Sequence, residues 1–529
     1  MRKEFITFSI LSCLILLIFG YFFHWVFWLF ILFGPIILLG LYDMVQPHHT
    51  IRRVYPFLGR FRYLMEDLRP KVYQYFVESD TDGKPINRVD RSTIYQRAKR
   101  DLDTQPFGTQ YNTYQEGYEW LAHSVNPVDF HKLNKSPRVN FGGKQCTKPY
   151  SASILNVSAM SFGALGANAV EALNAGAKIG NFAHNTGEGG ISPYHLKPGG
   201  DIIWQIGTAY FGCRKDNGEF DPDLFKKKSR YEQVKMIEIK LSQGAKPGHG
   251  GILPGVKNTV EIAETRHVKP YETVYSPTFH TAFTNPVELM EYVQELRNLC
   301  GGKPVGFKLC VGRQSEVYAM CKAMIETGIY PDFITVDGGE GGTGAAPPEF
   351  SNTIGMPFMD GLSFVHNTLV GFNIRDKMKL IGSGKILTGF HIARAMALGA
   401  DTCNSARAMM LSLGCIQSLL CNTNKCPTGI TTQDKSRQKG LVVEEKKIRV
   451  ANYHDDTVSS CVELTSALGF SDPHEITRGH VFRRVFMNTV KTFEEIYPSW
   501  SPGYLLHENE IHNDQVKQDL DKAKTDRWR

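Results

Sequence analysis

Short apolar runs recur along the chain from about residue 150, each followed by a Gly-rich or polar turn and often by a stretch of helical periodicity. Eight runs have the length and composition of buried strands: Ile154–Ser158, Phe182–Asn185, Ile202–Gln205, Ile237–Lys240, Val305–Leu309, Phe333–Asp337, Leu380–Gly382 and Thr402–Ser405. Helical patterns follow several of them: Asn168–Ala177, Pro286–Leu299, Glu316–Thr327 and Phe390–Leu398. This alternation predicts an α/β fold, a (β/α)8 TIM barrel over residues 150–440, with its chemistry at the carboxyl ends of the strands.

The amino-terminal segment has a different pattern, because no Asp, Glu, Lys or Arg occurs between Phe5 and Tyr42. One helix over this stretch would be about 57 Å long, roughly twice the hydrocarbon thickness of a bilayer. Two short transmembrane helices with a turn near Gly20–His24 fit better. A cleaved signal peptide is the alternative, but no small-residue cleavage site follows a short apolar region. Residues 1–43 are therefore predicted to be a membrane anchor.

Basic residues on both sides of this hairpin predict its orientation. Arg2 and Lys3 precede it, and Arg52, Arg53 and Arg60 follow it. Under the positive-inside rule both ends then lie in the cytoplasm, so we expect an inner (cytoplasmic) membrane protein with its catalytic domain facing the cytoplasm.

Two segments flank the barrel. Residues 44–149 are rich in Arg, Tyr and Pro and are predicted to be an extension that packs on the barrel. Residues 441–529 are predicted to be a helical, polar extension, with a loose charged tail after about residue 506. The net charge of +7 is a mild excess, and the densest basic run, Lys226–Lys228, is typical of a solvated face. No nucleic-acid partner is expected.

Three cysteines within twelve residues carry the most specific chemistry of the chain. Cys415, Cys421 and Cys426 have the spacing C-x5-C-x4-C, and Pro427 follows the last of them. Thiolates ligate iron–sulfur clusters, and a proline after the last cysteine is typical of ferredoxin-type loops. Zinc would need a fourth ligand from elsewhere. Three thiolates favour a three-iron cluster or a cluster with one open corner; the alternative is three inert buried cysteines.

The residues that follow the predicted strands suit FMN. Small residues let backbone approach a flat ligand, and backbone amides after the last two strands form the usual barrel phosphate site. A lysine at a strand end can place positive charge beside the N1/O2 side of a flavin. The predicted cofactor residues are Ala159, Met160, Ser161, Asn185, Gln205, Lys240, Lys308, Gly338, Gly339, Gly341, Gly342, Gly382, Gly384, Ala406 and Arg407.

One motif points to a different fold. Gly339–Gly344 satisfies the G-x-G-x-x-G pattern of dinucleotide-binding folds and follows a predicted strand. Pro347 and Pro348 prevent a helix from opening immediately after it, so a Rossmann fold is disfavoured.

Taken in order, four motifs resemble the FMN-binding synthase domain of glutamate synthase. They are Asn185–Gly190, Gln243–Gly248, Gly341–Gly344 and the cysteine segment through Gln433, and the similarity covers roughly residues 145–440. The resemblance identifies the chain as a stand-alone, membrane-anchored member of that family.

The resemblance also implies a reaction. FMN would receive electrons through a 3Fe-4S cluster on the three cysteines and pass a hydride to 2-iminoglutarate, formed from 2-oxoglutarate and ammonia, to give L-glutamate. Lys308 matches the lysine beside the flavin, and Glu188, Gln243 and Lys246 match residues that bind the oxo acid. Catalytic roles are therefore expected for Lys308, Glu188 and Lys246. Glu188 could carry a proton if burial raises its pKa.

The chain departs from the family pattern in two respects. His249 and Ile252 stand where the family loop has Glu and Gln, so a different amine or oxo acid is an open alternative. No glutaminase or NAD(P)H-binding domain is recognisable. Ammonia or an amine would then come from outside the chain, for example from a separate glutaminase. Electrons would come from an external donor such as ferredoxin or an NAD(P)H-linked reductase. A membrane electron-relay component without synthase turnover is the second functional hypothesis; the oligomeric state stays open.

Overall fold

A computed structural model describes residues 1–102 and 104–528, and its strands are short. They are β1 Glu119–Leu121, β2 Arg138–Phe141, β3 Tyr150–Ser153, β4 Leu155–Val157, β5 His184–Asn185, β6 Ile202–Ile206, β7 Val234–Lys240, β8 Ile252–Leu253, β9 Val274–Tyr275, β10 Val305–Leu309, β11 Phe333–Asp337, β12 Lys379–Ser383, β13 Thr402–Ser405, β14 Val481–Phe486 and β15 Thr489–Thr492. Eight close into a parallel barrel in the order β4-β5-β6-β7-β10-β11-β12-β13. This confirms the predicted TIM barrel, since each predicted strand overlaps one barrel strand.

Each of the four helices that the periodicity predicted in the barrel overlaps an observed helix. The α-helices are α1 Arg2–Phe22, α2 Phe30–Val45, α3 Thr50–Val54, α4 Gly59–Val72, α5 Arg88–Lys99, α6 Ala167–Gly180, α7 Pro193–Leu196, α8 Pro222–Ser229, α9 Val260–Arg266, α10 Pro286–Leu299, α11 Gln314–Thr327, α12 Pro348–Thr353, α13 Phe358–Gly371, α14 Gly389–Ala397, α15 Arg407–Ser412, α16 Lys435–Gln438, α17 Val443–Ala467, α18 Phe493–Ile496 and α19 Asp514–Lys522. The start of α10 shows why: the Asn285 side chain accepts a hydrogen bond from the Glu288 N–H (2.9 Å), and Pro286 occupies the first turn.

The barrel strands are buried on both faces, which explains their continuous apolar runs. Every residue of β6, β10 and β11 is buried, because side chains fill the barrel interior and helices cover its outside. The G-x-G-x-x-G segment follows β11, which belongs to the closed barrel, and α12 begins only at Pro348. The Rossmann alternative is therefore excluded.

The chain divides into two compact units, Met1–Arg88 and Val89–Arg529. In the first, α1 and α2 are separated by extended backbone at Phe23 and a short 3-10 helix, His24–Leu29. Two helical stretches, Arg2–Phe22 and His24–Val45, are each long and apolar enough to cross a membrane, a property shared with signal sequences and buried core helices. Two apolar amino-terminal helices were predicted, with the break at this position.

The carboxyl-terminal segment contains the predicted helices and also strands that the sequence did not predict. β14 pairs with β1 on one side and with β15 on the other. Trp120 stacks on Phe482 in this sheet, with ring centroids 5.6 Å apart. The predicted loose tail is wrong, because Val516 and Leu520 of α19 are buried, and Lys322 on α11 donates to the Leu520 carbonyl (2.7 Å).

A buried ion pair holds the amino-terminal end of the barrel together. Arg297 and Asp332 are 1% and 2% exposed, with 3.0 Å between Nη2 and Oδ2. The Asp332 carboxylate also accepts the backbone N–H groups of Gly143 and Val305. We expect Asp332→Asn to lower the free energy of unfolding by about 3 to 5 kcal/mol, because it leaves a buried guanidinium uncompensated. Denaturant titration in detergent measures this loss, and Asp376→Asn, in an exposed pair with Lys377, is the matched control. Equal stability of the two variants would contradict the assignment.

Candidate active site

Two lysines, each in an ion pair with a carboxylate, lie at the carboxyl end of the barrel. Lys240 is the last residue of β7 and Lys308 the last but one of the neighbouring strand β10, and the two lie in register with one another. Lys308 Nζ is 3.1 Å from an Asp337 oxygen, and Lys240 Nζ is 3.0 Å from a Glu188 oxygen. Both lysines are buried, so the two ion pairs are shielded from solvent and can fix the charge pattern of the barrel mouth.

Neighbouring charges favour the charged forms of Lys308 and Glu188. Burial disfavours the Lys308 ammonium, but Asp337 and Glu238 outweigh it and raise the pKa of Lys308. Burial also opposes the charge of Glu188, yet Lys240, Lys246 and the Arg266 guanidinium lower its pKa below the usual value. The condition under which Glu188 could carry a proton, a pKa raised by burial, is therefore not met. Nearby cations, rather than burial, determine that the net shift of the Glu188 pKa is downward.

Two further cations complete the surroundings of Glu188. Lys246 is 3% exposed and its ammonium donates to the Ala345 carbonyl (3.2 Å); burial lowers its pKa, and Glu188 opposes this shift. Arg266, at the end of α9, was not predicted. It donates to the Phe162 carbonyl (3.0 Å), its Nε has no hydrogen-bond partner among the described residues, and burial lowers its pKa to about 10. The rim thus carries more buried positive than negative charge around Glu188.

A buried carboxylate inside the barrel orients the two amides predicted to hold the flavin. Glu238 on β7 accepts hydrogen bonds from Asn185 Nδ2 (2.8 Å) and Gln205 Nε2 (2.6 Å), and its other oxygen accepts from Thr335 (2.6 Å). Sequence reasoning missed Glu238, although an acidic residue between two isoleucines of a predicted buried strand is a signal of an interior polar network.

Glycines allow the loops at the barrel mouth to approach one another closely. A Cβ on Gly244 would lie 1.6 Å from the Gly338 carbonyl oxygen, so the loops after β7 and β11 touch at the backbone. A Cβ on Gly187 would lie 2.7 Å from the Ser161 nitrogen, which joins the loops after β4 and β5. These contacts bring the loops after β4 and β5, and the loops after β7 and β11, together at the carboxyl end of the barrel.

The remaining predicted cofactor residues have less uniform surroundings. Gly342 lies beside the Arg407 side chain, which donates to the Glu340 carbonyl (2.8 Å) and thereby ties the loop after β13 to the loop after β11. Gly382 and Gly384 face Phe358, with an added Cβ only 2.9 and 2.5 Å from its atoms. Packing alone therefore accounts for these two glycines, and their role toward a cofactor stays a prediction. Further residues of the set lie directly after barrel strands: Ala159, Met160, Gly339, Gly341 and Ala406.

His249 and Ile252, at which the chain departs from the family's substrate loop, lie in different surroundings. His249 packs edge-on against Phe350, with ring centroids 5.2 Å apart, and its Nδ1 lies 2.8 Å from the Gly250 carbonyl oxygen. Ile252 belongs to β8 and pairs with Tyr275. Between them, a Cβ on Gly251 would lie 2.8 Å from a Glu188 carboxylate oxygen, so this loop passes directly over Glu188. Gln243 begins the same loop and is half-buried.

The three cysteines lie on one loop with hydrogen-bond donors directed at sulfur. The Gln417 N–H donates to Cys415 Sγ (3.4 Å), and the Thr428 hydroxyl lies 3.4 Å from Cys426 Sγ. Burial and the charges of the other two thiols raise the pKa of Cys415 to about 11. Burial opposes ionisation of Cys426, but bonds from Thr428 and Thr431 lower its pKa to about 7. Within the described ranges no three His, Cys, Asp or Glu side chains are placed to hold one metal ion, so the ligand set stays a prediction.

A buried lysine joins the cysteine loop to the barrel. Lys257 is 4% exposed and its ammonium donates to the carbonyls of Cys421 (2.9 Å), Thr431 (2.9 Å) and Ala164 (3.3 Å). A Cβ on Gly344 would lie 3.3 Å from the Cys421 carbonyl oxygen. The cysteine loop therefore lies against the glycine-rich loop after β11. Donors to sulfur and a buried cation that lacks a carboxylate partner in the described part of the chain suit anionic thiolates.

Comparison with known proteins gives consistent matches. Residues 91–471 match the family model described as a conserved region in glutamate synthase. The glutamate synthase large subunit-like protein YerD of Bacillus subtilis is 38% identical over 85% of this chain and 93% of its own length. The archaeal glutamate synthase [NADPH] of Methanocaldococcus jannaschii is 35% identical over 60% of this chain, which spans 59% of that protein. A flavocytochrome b2 mutant with bound pyruvate aligns over 87% of this chain and 95% of its own at a TM-score of 0.43 and 14% identity, too distant to bear on the site.

Proposed function

The chain belongs to the glutamate synthase family, and we propose that it is a membrane-anchored flavin and iron–sulfur enzyme that reduces 2-iminoglutarate to L-glutamate. It is an oxidoreductase of the class acting on CH–NH2 donors. The finer assignment rests on one observation: Lys246, Arg266 and Lys240 surround Glu188 beneath the loop that carries Gln243. Buried cations on rigid loops suit a dicarboxylate substrate, and a fixed carboxylate suits a cationic nitrogen.

In this proposal each charged group of the substrate is bound by one of these charged side chains. Lys246 and Arg266 bind the carboxylates of 2-oxoglutarate, since Arg266 retains an unused Nε and Lys246 has only one carbonyl partner. Glu188 stays ionised because cations lower its pKa. It therefore stabilises ammonium and the protonated imine rather than donating a proton. 2-Oxoglutarate and ammonia lose water to form the imine, which then takes up two electrons and two protons to become glutamate.

The residues at the barrel mouth fit FMN. The Lys308 ammonium is held by Asp337 at a strand end, the Asn185 and Gln205 amides are oriented by Glu238, and glycine-lined loops permit close approach of a flat ring. When bound, FMN supplies the hydride for the imine carbon. Lys308 would favour negative charge on the flavin ring, and the loops would exclude water from the hydride-transfer path.

The cysteine loop fits a cluster that supplies single electrons. Cys415, Cys421 and Cys426 would be its ligands, with Gln417 and Thr428 donating to sulfur. The cysteine loop contacts the glycine-rich loop after β11, so a cluster held there would supply its electrons to the barrel through this contact. The reductant would be ferredoxin or an NAD(P)H-linked reductase, and the nitrogen would be free ammonia or ammonia from a separate glutaminase. The apolar helices would hold the enzyme at the inner membrane with its barrel in the cytoplasm.

An anaerobic reoxidation experiment tests the proposed reaction. The detergent-purified protein is reduced, 2-oxoglutarate and ammonium are added together or singly, and flavin absorbance and glutamate are followed. We expect rapid reoxidation only when both are present, because the imine is the hydride acceptor. A flavin that stays reduced with both would contradict the proposal for this substrate pair.

The same experiment separates the alternatives. Ile252 removes a polar group from the loop over Glu188, so methylammonium and other oxo acids are tested in parallel. Reoxidation by methylammonium with 2-oxoglutarate, but not by ammonium, would assign a different amine. Reoxidation by a quinone or ferredoxin without any oxo acid would favour the electron-relay function.

A further inference from the structure

Helix α4 carries an apolar stripe that nothing covers in the first compact unit. Phe61, Leu64, Met65, Leu68 and Val72 recur at intervals of three and four residues, so they share one helix face. Phe61 is 49%, Leu64 48%, Met65 56% and Val72 47% exposed. Phe76, in the following helical turn Tyr73–Val77, is 84% exposed and continues the stripe. A contiguous exposed apolar face on a helix marks a surface that is covered in the working protein.

Basic side chains border this stripe. Arg62 and Arg69 lie on one side and Lys71 on the other, whereas Glu66 and Asp67 lie farther from the apolar face. Arg62 pairs with Glu66 (2.8 Å) and Lys71 with Asp67 (3.5 Å), but all four side chains are more than half exposed. Such exposed pairs contribute little and leave the basic groups free to bind other anions. An apolar face with Arg and Lys along its edges is typical of helices that lie in a bilayer interface.

A buried ion pair attaches α4 to the end of the second apolar helix. Asp43, in the last turn of α2, is fully buried and accepts Arg60 Nε (2.8 Å) and Nη2 (2.7 Å) as a bidentate pair. The Phe57 N–H donates to the same carboxylate (3.2 Å). The amino-terminal end of α4 is therefore fixed at the point where the apolar span ends, which is the level of the headgroups if α2 crosses a membrane.

We propose that α4 lies in the headgroup region of the cytoplasmic leaflet, with its stripe toward the acyl chains and its basic edges on anionic phospholipid. This inference rests on the proposed membrane anchoring and adds a second, lipid-selective contact. The segment 50–77 contains six basic and two acidic side chains, which gives it the charge needed to attract an anionic surface. The attachment of α4 to the end of the apolar helix α2 favours lipid over a protein partner.

Photolabelling from lipid tests this proposal on the full chain. The protein is reconstituted in nanodiscs of phosphatidylcholine alone or of phosphatidylcholine and phosphatidylglycerol at about 3:1, each with a trace of phosphatidylcholine carrying a diazirine near the headgroup end of its acyl chain. Labelled residues are mapped by mass spectrometry. We expect label on the stripe from Phe61 to Phe76, increased at least about fivefold by the anionic lipid. Leu64→Glu should abolish the label on α4. Gln74→Glu, which adds the same charge on the opposite side of the helix, should not.

The outcomes distinguish this inference from the anchoring it rests on. No label between Phe5 and Tyr42 would overturn the anchoring itself. Label on these spans with none on α4 would overturn the inference alone. So would label on α4 whose yield is the same with and without the anionic lipid. A lysine crosslinker that joins Lys71 of two copies while α4 remains unlabelled would assign the stripe to a contact between copies and also overturn it.

Discussion

Lys246→Ala should lower kcat/KM for 2-oxoglutarate by at least about a hundredfold while the purified protein keeps its FMN. The Lys246 ammonium is buried, and its one hydrogen-bond partner among the described residues is the Ala345 carbonyl. Its charge therefore remains available for a substrate carboxylate. Removing a buried cation that contacts a bound carboxylate costs about 2 to 5 kcal/mol, because the substrate charge is then desolvated without compensation. Steady-state kinetics with a chemical reductant, together with the flavin absorbance of the variant, measures both parts of the prediction.

Lys303→Ala is the matched control for this experiment. Lys303 also donates to backbone carbonyls, those of Ser229 (2.6 Å) and Tyr231 (3.0 Å), but it lies at the opposite end of the barrel, before β10. It should lower stability and leave kcat/KM unchanged. Loss of flavin from Lys246→Ala, with Lys303→Ala still loaded, would assign Lys246 to the cofactor instead. Unchanged kcat/KM would remove it from substrate binding.

The barrel and its lysines were predictable because both follow from local pattern. Fully buried parallel strands are continuous apolar runs, and a polar residue at the end of such a run lies at the active face of a barrel. Lys240 and Lys308 satisfy this rule directly. The Gly-rich turns after β7 and β11 were recognisable too, and the structure explains them by the backbone contact at Gly244.

Arg266, Glu238 and Lys257 could not be predicted in the same way. Arg266 ends a short helix, α9, in the long segment between β7 and β10 with no motif around it, and only the folded chain brings it near Glu188. Lys240, Lys246 and, to a smaller extent, Arg266 lower the pKa of Glu188 against the effect of its burial, so burial alone does not give the direction of the shift. The order of α19 likewise depends on Lys322, which lies about two hundred residues earlier in the chain. Long-range contacts decide each of these features.

If the three cysteines hold the proposed cluster, Cys421→Ser should remove it while FMN stays bound. A serine hydroxyl is a much poorer iron ligand than a thiolate, and three ligands leave no replacement for a lost one. Iron content should fall from about three atoms per chain to near zero, and the electron paramagnetic resonance signal of the oxidised cluster should disappear. Electron transfer from ferredoxin to the flavin should fail. Reduction by dithionite and reoxidation by substrate should persist, because the barrel mouth is unchanged.

Cys146→Ser separates ligation from a general effect of cysteine loss. Cys146 is also partly exposed, and its thiol donates to the Gly302 carbonyl (3.1 Å), a bond that serine can replace. This variant should keep its iron and its ferredoxin-linked reduction. If Cys421→Ser also keeps its iron, the three cysteines are inert. The buried Lys257 ammonium would then have only backbone carbonyls as partners among the described residues. Such an uncompensated cation is unfavourable, so the cluster is the better account of why a lysine lies beneath this loop.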